Sequence, residues 1–211
     1  MNKNKSLLII FIKNEVKGKV KTRLAATLGD NRAMDIYRAL LDKTVQITQP
    51  LTTVDKRVYY SDQVTKNDRW SLPGYEKKVQ FQGDLGDRMT GAFVEGFRDG
   101  YEQICIIGSD CWDLSTERIR QSFDALKKYD FVAGPANDGG YYLLGMNRFL
   151  PSLFQGKTFS TDTVYDEALA EIAAAQKTVC ELEMLTDIDN ENDLKQTSLW
   201  DKVVSKESSQ N

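Results

Sequence analysis

Leu7 to Ile12 reads Leu-Leu-Ile-Ile-Phe-Ile, six apolar residues without a break. A run this short and this rich in β-branched residues suits a strand buried on both faces, the kind that parallel sheets make. Ile104 to Ile107 is a second such run. Between them the apolar period changes, and Met34, Tyr37, Leu40, Leu41, Thr44 and Ile47 recur at helical spacing within a helix predicted over Asn31 to Thr48. Further helices are predicted from about Asp87 to Arg98, from a Ser115 cap through Ile119, Phe123 and Leu126, over Thr161 to Gln176, and from Asn190 onward. Arg57 to Tyr60, Val79 to Phe81, Phe131 to Ala133, Tyr141 to Leu144 and Thr178 to Leu182 read as strands. Strands alternating with helices predict an α/β fold with a mostly parallel sheet and right-handed crossovers.

The chain has 211 residues, which suits one domain with its own core. We expect it over residues 1–204, followed by a frayed tail from Ser205 to Asn211. Lys3 and Lys5 before the first apolar run imitate a signal peptide, but Lys13 ends the run and no small-residue cleavage site follows. No stretch is long enough to span a membrane. Cys105, Cys111 and Cys180 are odd in number and lack Cys-x-x-Cys spacing, which argues against a disulfide framework and for a reducing cytoplasm.

There is no histidine. That removes every Ser-His-Asp and Cys-His arrangement and the histidine-bearing zinc sites. The remaining chemistry runs on carboxylates, Lys, Arg, hydroxyls or a hard, oxygen-loving cation. With 28 Lys and Arg against 31 Asp and Glu, the net charge of −3 supplies no field for holding a nucleic acid.

In such folds ligands bind beyond the carboxyl ends of the strands, so the loops there matter most. The first, Lys13 to Arg23, holds five cations and one acid. A solvated face would also look like this. Its place between a buried strand and a helix, with Gly18 allowing close backbone approach and Lys21 and Arg23 supplying charge, points instead to a phosphate-bearing ligand. Asp110, in Gly108-Ser-Asp-Cys-Trp-Asp113, follows the strand Ile104 to Ile107 and suits a ligand to Mg²⁺ or Mn²⁺, while Asp113 also suits a helix cap. In the loop Gly134 to Tyr142, Gly139 and Gly140 permit close approach to a ligand, and Asp138 also suits a plain turn. Asp187 and Asp189 could supply a second metal ligand or cap a helix. Gln82, Gly83 and Arg88 belong to a fifth, Gly-containing loop.

Taken in order, Lys13 to Leu28, Gln82 to Met89, Gly108 to Leu114, Gly134 to Gly145, Phe159 to Val164 and Asp187 to Leu194 resemble blocks of the bacterial glycosyltransferase-like proteins called radical-SAM/selenodomain-associated transferases. Lys21-Thr-Arg-Leu-Ala25 and the Asp-x-Asp at Asp187 are also similar to the guanylyltransferases that load 2-phospholactate or phosphoenolpyruvate. The resemblance implies a GT-A, Rossmann-like fold of the nucleotide-diphospho-sugar transferase superfamily. It implies that Lys13, Gly18, Lys21, Thr22, Arg23, Gln82, Gly83 and Arg88 hold the nucleotide, with Lys21 also catalytic. Asp110 with Asp187 or Asp189 would hold Mg²⁺ or Mn²⁺. Gly134, Asp138, Gly139 and Gly140 would line the acceptor or sugar side, Asp138 being the most suitable base where no histidine exists.

Three functions follow. A metal-dependent transferase of a sugar from a nucleotide donor to a small-molecule acceptor comes first. Nucleotidyl transfer from an NTP to a phosphorylated small acid comes second, since a phosphate nucleophile needs no base. A catalytically silent nucleotide-binding protein is third.

Overall fold

The computed structural model describes residues 5–159 and 161–202. The first half of the chain runs through β1 (Ser6–Ile12), α1 (Thr22–Leu28), α2 (Asp30–Thr48), β2 (Asp55–Tyr60), β3 (Tyr75–Val79) and α3 (Leu85–Arg98). The second half adds β4 (Gln103–Ile107), α4 (Thr116–Ala125), β5 (Phe131–Pro135), β6 (Tyr141–Met146), α5 (Val164–Ala174), β7 (Val179–Glu181) and α6 (Glu191–Lys195). The seven strands form one sheet in the order β3-β2-β1-β4-β6-β5-β7, and β6 alone runs antiparallel to its neighbours. The mostly parallel α/β architecture expected from the alternation is present.

Side-chain alternation along β1 explains why its sequence is apolar throughout. Leu8, Ile10 and Ile12 enter a core shared with Tyr37, Leu41 and Phe123 of α2 and α4. Leu7 and Ile9 enter the opposite core with Phe93 of α3 and Ile172 of α5. Leu7 to Ile10 are each 0% exposed, and full burial of such a side chain contributes roughly 1.5–3 kcal/mol relative to leaving it in water.

Most element ends shift by one or two residues, and three departures are larger. β3 lies at Tyr75–Val79 and not at Val79 to Phe81. It is an edge strand carrying Glu76, Lys77 and Lys78, so it gives no apolar signal, and its charges discourage pairing with another chain. The helix expected from Thr161 starts at Val164, because the Asp162 backbone packs over Gly139 and the Tyr165 amide bonds the Gly139 carbonyl at 2.8 Å. The short α1 was unexpected, since only Leu24 of it is buried. Ser115 and Asn190 cap α4 and α6 as expected, Asn190 within a reciprocal box with Asp193. No helix among the described residues is long and apolar enough to cross a membrane. The tail expected from Ser205 lies outside the described residues.

Candidate active site

From β1 the chain builds outward through β2 and β3, then re-enters on the other side of β1 as β4. Such a reversal opens a crevice beyond the carboxyl ends of the two central strands. The loops after β1 and β4 meet there over two lobes. The larger, about 670 Å³, is lined by Lys13, Lys19, Lys21, Thr22, Arg23 and Arg88. The smaller, about 240 Å³, is lined by Asp138, Gly140 and Asp187 among apolar walls. Asp110 and Asp189 border both.

Lys21 joins the lobes. Its backbone is left-handed at φ 48° and ψ 45°, an uncommon state for a residue with a side chain. Its ammonium donates to the Ile188 carbonyl at 2.5 Å and lies 2.9 Å from Asp110 Oδ1 and 3.5 Å from Asp189 Oδ1. The side chain is 4% exposed, whereas Lys13, Lys17, Lys19 and Arg23 are exposed. Arg23 reaches Asp189 Oδ2 at 3.4 Å. Thr22 opens α1. Gly18 sits at φ 79° in an exposed turn and does not line either lobe, so its conformational freedom serves the turn.

The 185–189 segment is sewn onto the β4 loop by a bridge between Cys111 and Asp187 and by the Ile188 amide bonding the Asp110 carbonyl at 3.0 Å. This pairing brings Asp110, Asp187 and Asp189 together from distant parts of the chain. Asp187 Oδ1 is buried without a hydrogen-bond partner. Burial, then the charge of Asp110, pushes the Asp187 carboxyl up to about 8 against the pull of Lys21. Among the described residues no three carboxylates or thiolates already form a cation cage. Asp113 does not cap α4, whose first turn is capped by Ser115.

Arg88 is oriented by Gly83, whose carbonyl accepts from Nε at 2.9 Å, and by Gln80 Oε1 at 3.3 Å. Gln82 is exposed and lines neither lobe. The buried amide here is Gln80, which donates to the carbonyls of Ile12 and Tyr59 at 3.0 and 3.2 Å. Tyr37 grips the first loop, its hydroxyl accepting from the Lys13 amide and donating to the Lys13 carbonyl, each at 2.8 Å. Neither was singled out from sequence, because one amide in a charged stretch and one phenol on an apolar helix face look ordinary.

Asp138 is exposed at the smaller lobe, and its Oδ1 accepts from the Gly140 amide at 2.9 Å. Gly140 lines the lobe, but Gly134 and Gly139 do not. A Cβ on Gly134 would lie 2.3 Å from the Tyr142 ring, and one on Gly139 would lie 2.2 Å from the Asp162 carbonyl oxygen. Both glycines therefore admit neighbouring protein rather than a ligand.

Known structures share this architecture. A protein from Desulfovibrio desulfuricans G20, provisionally named a nucleotide-diphospho-sugar transferase, matches with a TM-score of 0.86 at 27% identity, covering 98% of this chain and 96% of its own. The 4-diphosphocytidyl-2C-methyl-D-erythritol synthase of Anaerococcus prevotii DSM 20548 matches with a TM-score of 0.60 at 8% identity, covering 94% of this chain and 97% of its own. Rv0371C of Mycobacterium tuberculosis H37Rv, in complex with manganese, matches with a TM-score of 0.52 at 13% identity, covering 90% and 97%. These likenesses place the fold with that of the Desulfovibrio protein and of the cytidylyl-carrying synthase. No curated protein matches. A family model matches residues 44–161, more than half of the chain, and the protein belongs to that family, described as "uncharacterized protein conserved in bacteria (DUF2064)".

Proposed function

We propose that the protein is a single-domain, divalent-metal-assisted transferase that takes a sugar from a nucleotide-diphospho-sugar and passes it to a small-molecule acceptor. The observation that carries this reading is the seam itself. Lys21, held by Asp110 and Asp189, separates a lobe lined with cations from a lobe lined with carboxylates at the reversal of strand order. The name of the Desulfovibrio relative supports it.

Lys13, Arg23 and Arg88 in the larger lobe suit the donor's diphosphate, the arginines as bidentate donors and the lysine as a point charge. Lys21 adds a desolvated positive charge where the phosphates would meet the carboxylates. Asp110 and Asp187 fit Mg²⁺ or Mn²⁺, because Asp187 Oδ1 is buried beside a second carboxylate with nothing to satisfy it. Manganese in Rv0371C supports the same ions. A bound cation would neutralise charge on the diphosphate. In the transfer, the acceptor oxygen attacks the anomeric carbon, the bond from that carbon to the phosphate oxygen breaks, and the nucleoside diphosphate leaves with the electron pair. The acceptor's proton passes to Asp138.

Nucleotidyl transfer is the second reading, favoured by one feature: Asp138 already accepts a bond from its own loop, and a phosphate nucleophile would not need it. There the acceptor phosphate attacks the α-phosphorus of an NTP and pyrophosphate leaves. The deciding assay supplies nucleotide sugars and NTPs with Mn²⁺ and measures which product is freed. Nucleoside diphosphate from a nucleotide sugar is expected. Pyrophosphate from an NTP with a phosphorylated acid, and no nucleotide-sugar turnover, would replace the first reading with the second. Binding without turnover of either would leave a silent nucleotide-binding protein.

A further inference from the structure

The smaller lobe has a charge pattern opposite to its neighbour. Its walls are Phe11, Leu85, Met89, Ile106 and Phe159. Its polar side is built from Asp110, Asp138, Asp187 and Asp189 with the hydroxyl-bearing Tyr141, Tyr142 and Thr161, and among the described residues no Lys or Arg lines it. Lys21 reaches in as the partner of Asp110 and Asp189, and Arg23 pairs with Asp189 from the other lobe. Asp187 Oδ1 is buried there without a donor, an acceptor that the lobe's own hydroxyls leave unmet. A carboxylate or phosphate placed here would face the carboxylates of Asp110, Asp138 and Asp189 across apolar walls. At about 240 Å³ the space matches about eight waters of ~30 Å³ each, room for one substituted ring or a short branched chain.

We infer that this lobe selects an acceptor that is a small alcohol or amine with an apolar body and no anionic group. The inference rests on the transferase reading for the word acceptor, but its charge selectivity is a property of the lobe alone. The apolar body packs on Phe11, Met89 and Phe159, and the hydroxyl or amine points at the aspartates as a donor. This also distinguishes the lobe from one built for a phosphorylated small acid, which would need a cation beyond the one that Asp110 and Asp187 would hold for the donor's diphosphate.

The test uses four probes with one ring and different charge: benzyl alcohol, benzylamine, benzoate and phenyl phosphate. Each is titrated into the whole chain carrying ¹³C-methyl methionine, with and without Mg²⁺, and the Met89 methyl resonance reports occupancy of the lobe. Benzylamine and benzyl alcohol are expected to shift it with dissociation constants at least about tenfold lower than benzoate and phenyl phosphate. Thr161, which lines the same lobe and is half-buried, supplies the control. Thr161→Lys should raise benzoate affinity to that of benzyl alcohol or above. Anionic probes binding the parent as tightly as neutral ones would overturn the inference, as would a Met89 resonance that no probe moves. A nucleotide titration on the same sample separates the two claims. If nucleotides fail to bind while the probe order holds, the transferase reading falls and the charge selectivity stands. If nucleotides bind but anionic probes are preferred, only the selectivity falls.

Discussion

Lys21 occupies a left-handed backbone that disfavours L-residues by roughly 1–2 kcal/mol. The ion pairs with Asp110 and Asp189 and the bond to the Ile188 carbonyl are what hold it there. Replacing Lys21 and Arg23 together by Ala should weaken nucleotide binding by about ten- to a hundredfold, or ~1.4–2.7 kcal/mol, and flatten its dependence on salt. Calorimetry across an ionic-strength series checks this, and an unchanged slope would return the loop to a solvated face. Asp110→Asn should keep the fold, because the Asp110 carbonyl rather than its carboxylate bonds the 185–189 segment, yet abolish the Mn²⁺-dependent part of nucleotide affinity. Circular dichroism with Mn²⁺ titrations separates the two effects. Lys21, Arg23 and Asp110 stood out in the sequence because charge clustered at the ends of buried strands has few other uses. The orphaned oxygen of Asp187 did not, since its burial comes from a bridge to Cys111, 76 positions away by residue number.

The excursion between β2 and β3 is tied down by Asp68, which accepts from the Tyr60 hydroxyl at 2.5 Å, the Lys77 ammonium at 2.6 Å and the Trp70 amide at 3.1 Å. Burial alone would raise the Asp68 carboxyl, but the bonds from Lys77 and Tyr60 outweigh it and hold the group below its ordinary value. A lowered folded-state value stabilises the fold at neutral pH, and this contribution fades as pH falls below about 3.9. Asp68→Asn should therefore destabilise by roughly 1–3 kcal/mol at pH 7 and by clearly less at pH 3, as denaturant melts would show. Equal losses at both pH values would contradict it. At the other end of the sheet, Gly139→Ala meets both a positive φ and the Asp162 carbonyl, so it should cost roughly 1–3 kcal/mol and displace the lobe wall at Thr161 and Val164. Elements with a strong apolar period, β1, β4 and α2, were legible from sequence. β3 and α1 were not, because an edge strand made of charges and a seven-residue helix with one buried side chain leave no period to read.

Across the whole molecule, the order β3-β2-β1-β4-β6-β5-β7 puts the site where strand order reverses, and two lobes of opposite charge share Asp110 and Asp189. The alternation of strands and helices predicted the class of sheet, and the rule that ligands sit beyond strand carboxyl ends pointed to loops that the fold brings together around the two lobes. The pairing of the 185–189 segment with the β4 loop was not predictable, because it depends on where the last third of the chain crosses the sheet. Binding of a nucleotide diphosphate at Lys21 and Arg23 in the larger lobe, with a divalent cation at Asp110, carries the proposed function. It is tested most directly by thermal shift, with a panel of nucleotide sugars and NTPs, each with and without Mn²⁺, on the parent and on Asp110→Asn. A rise in melting temperature for at least one nucleotide, dependent on Mn²⁺ in the parent and lost in Asp110→Asn, is the expected result. No rise with any nucleotide, or an equal rise in Asp110→Asn, would contradict it.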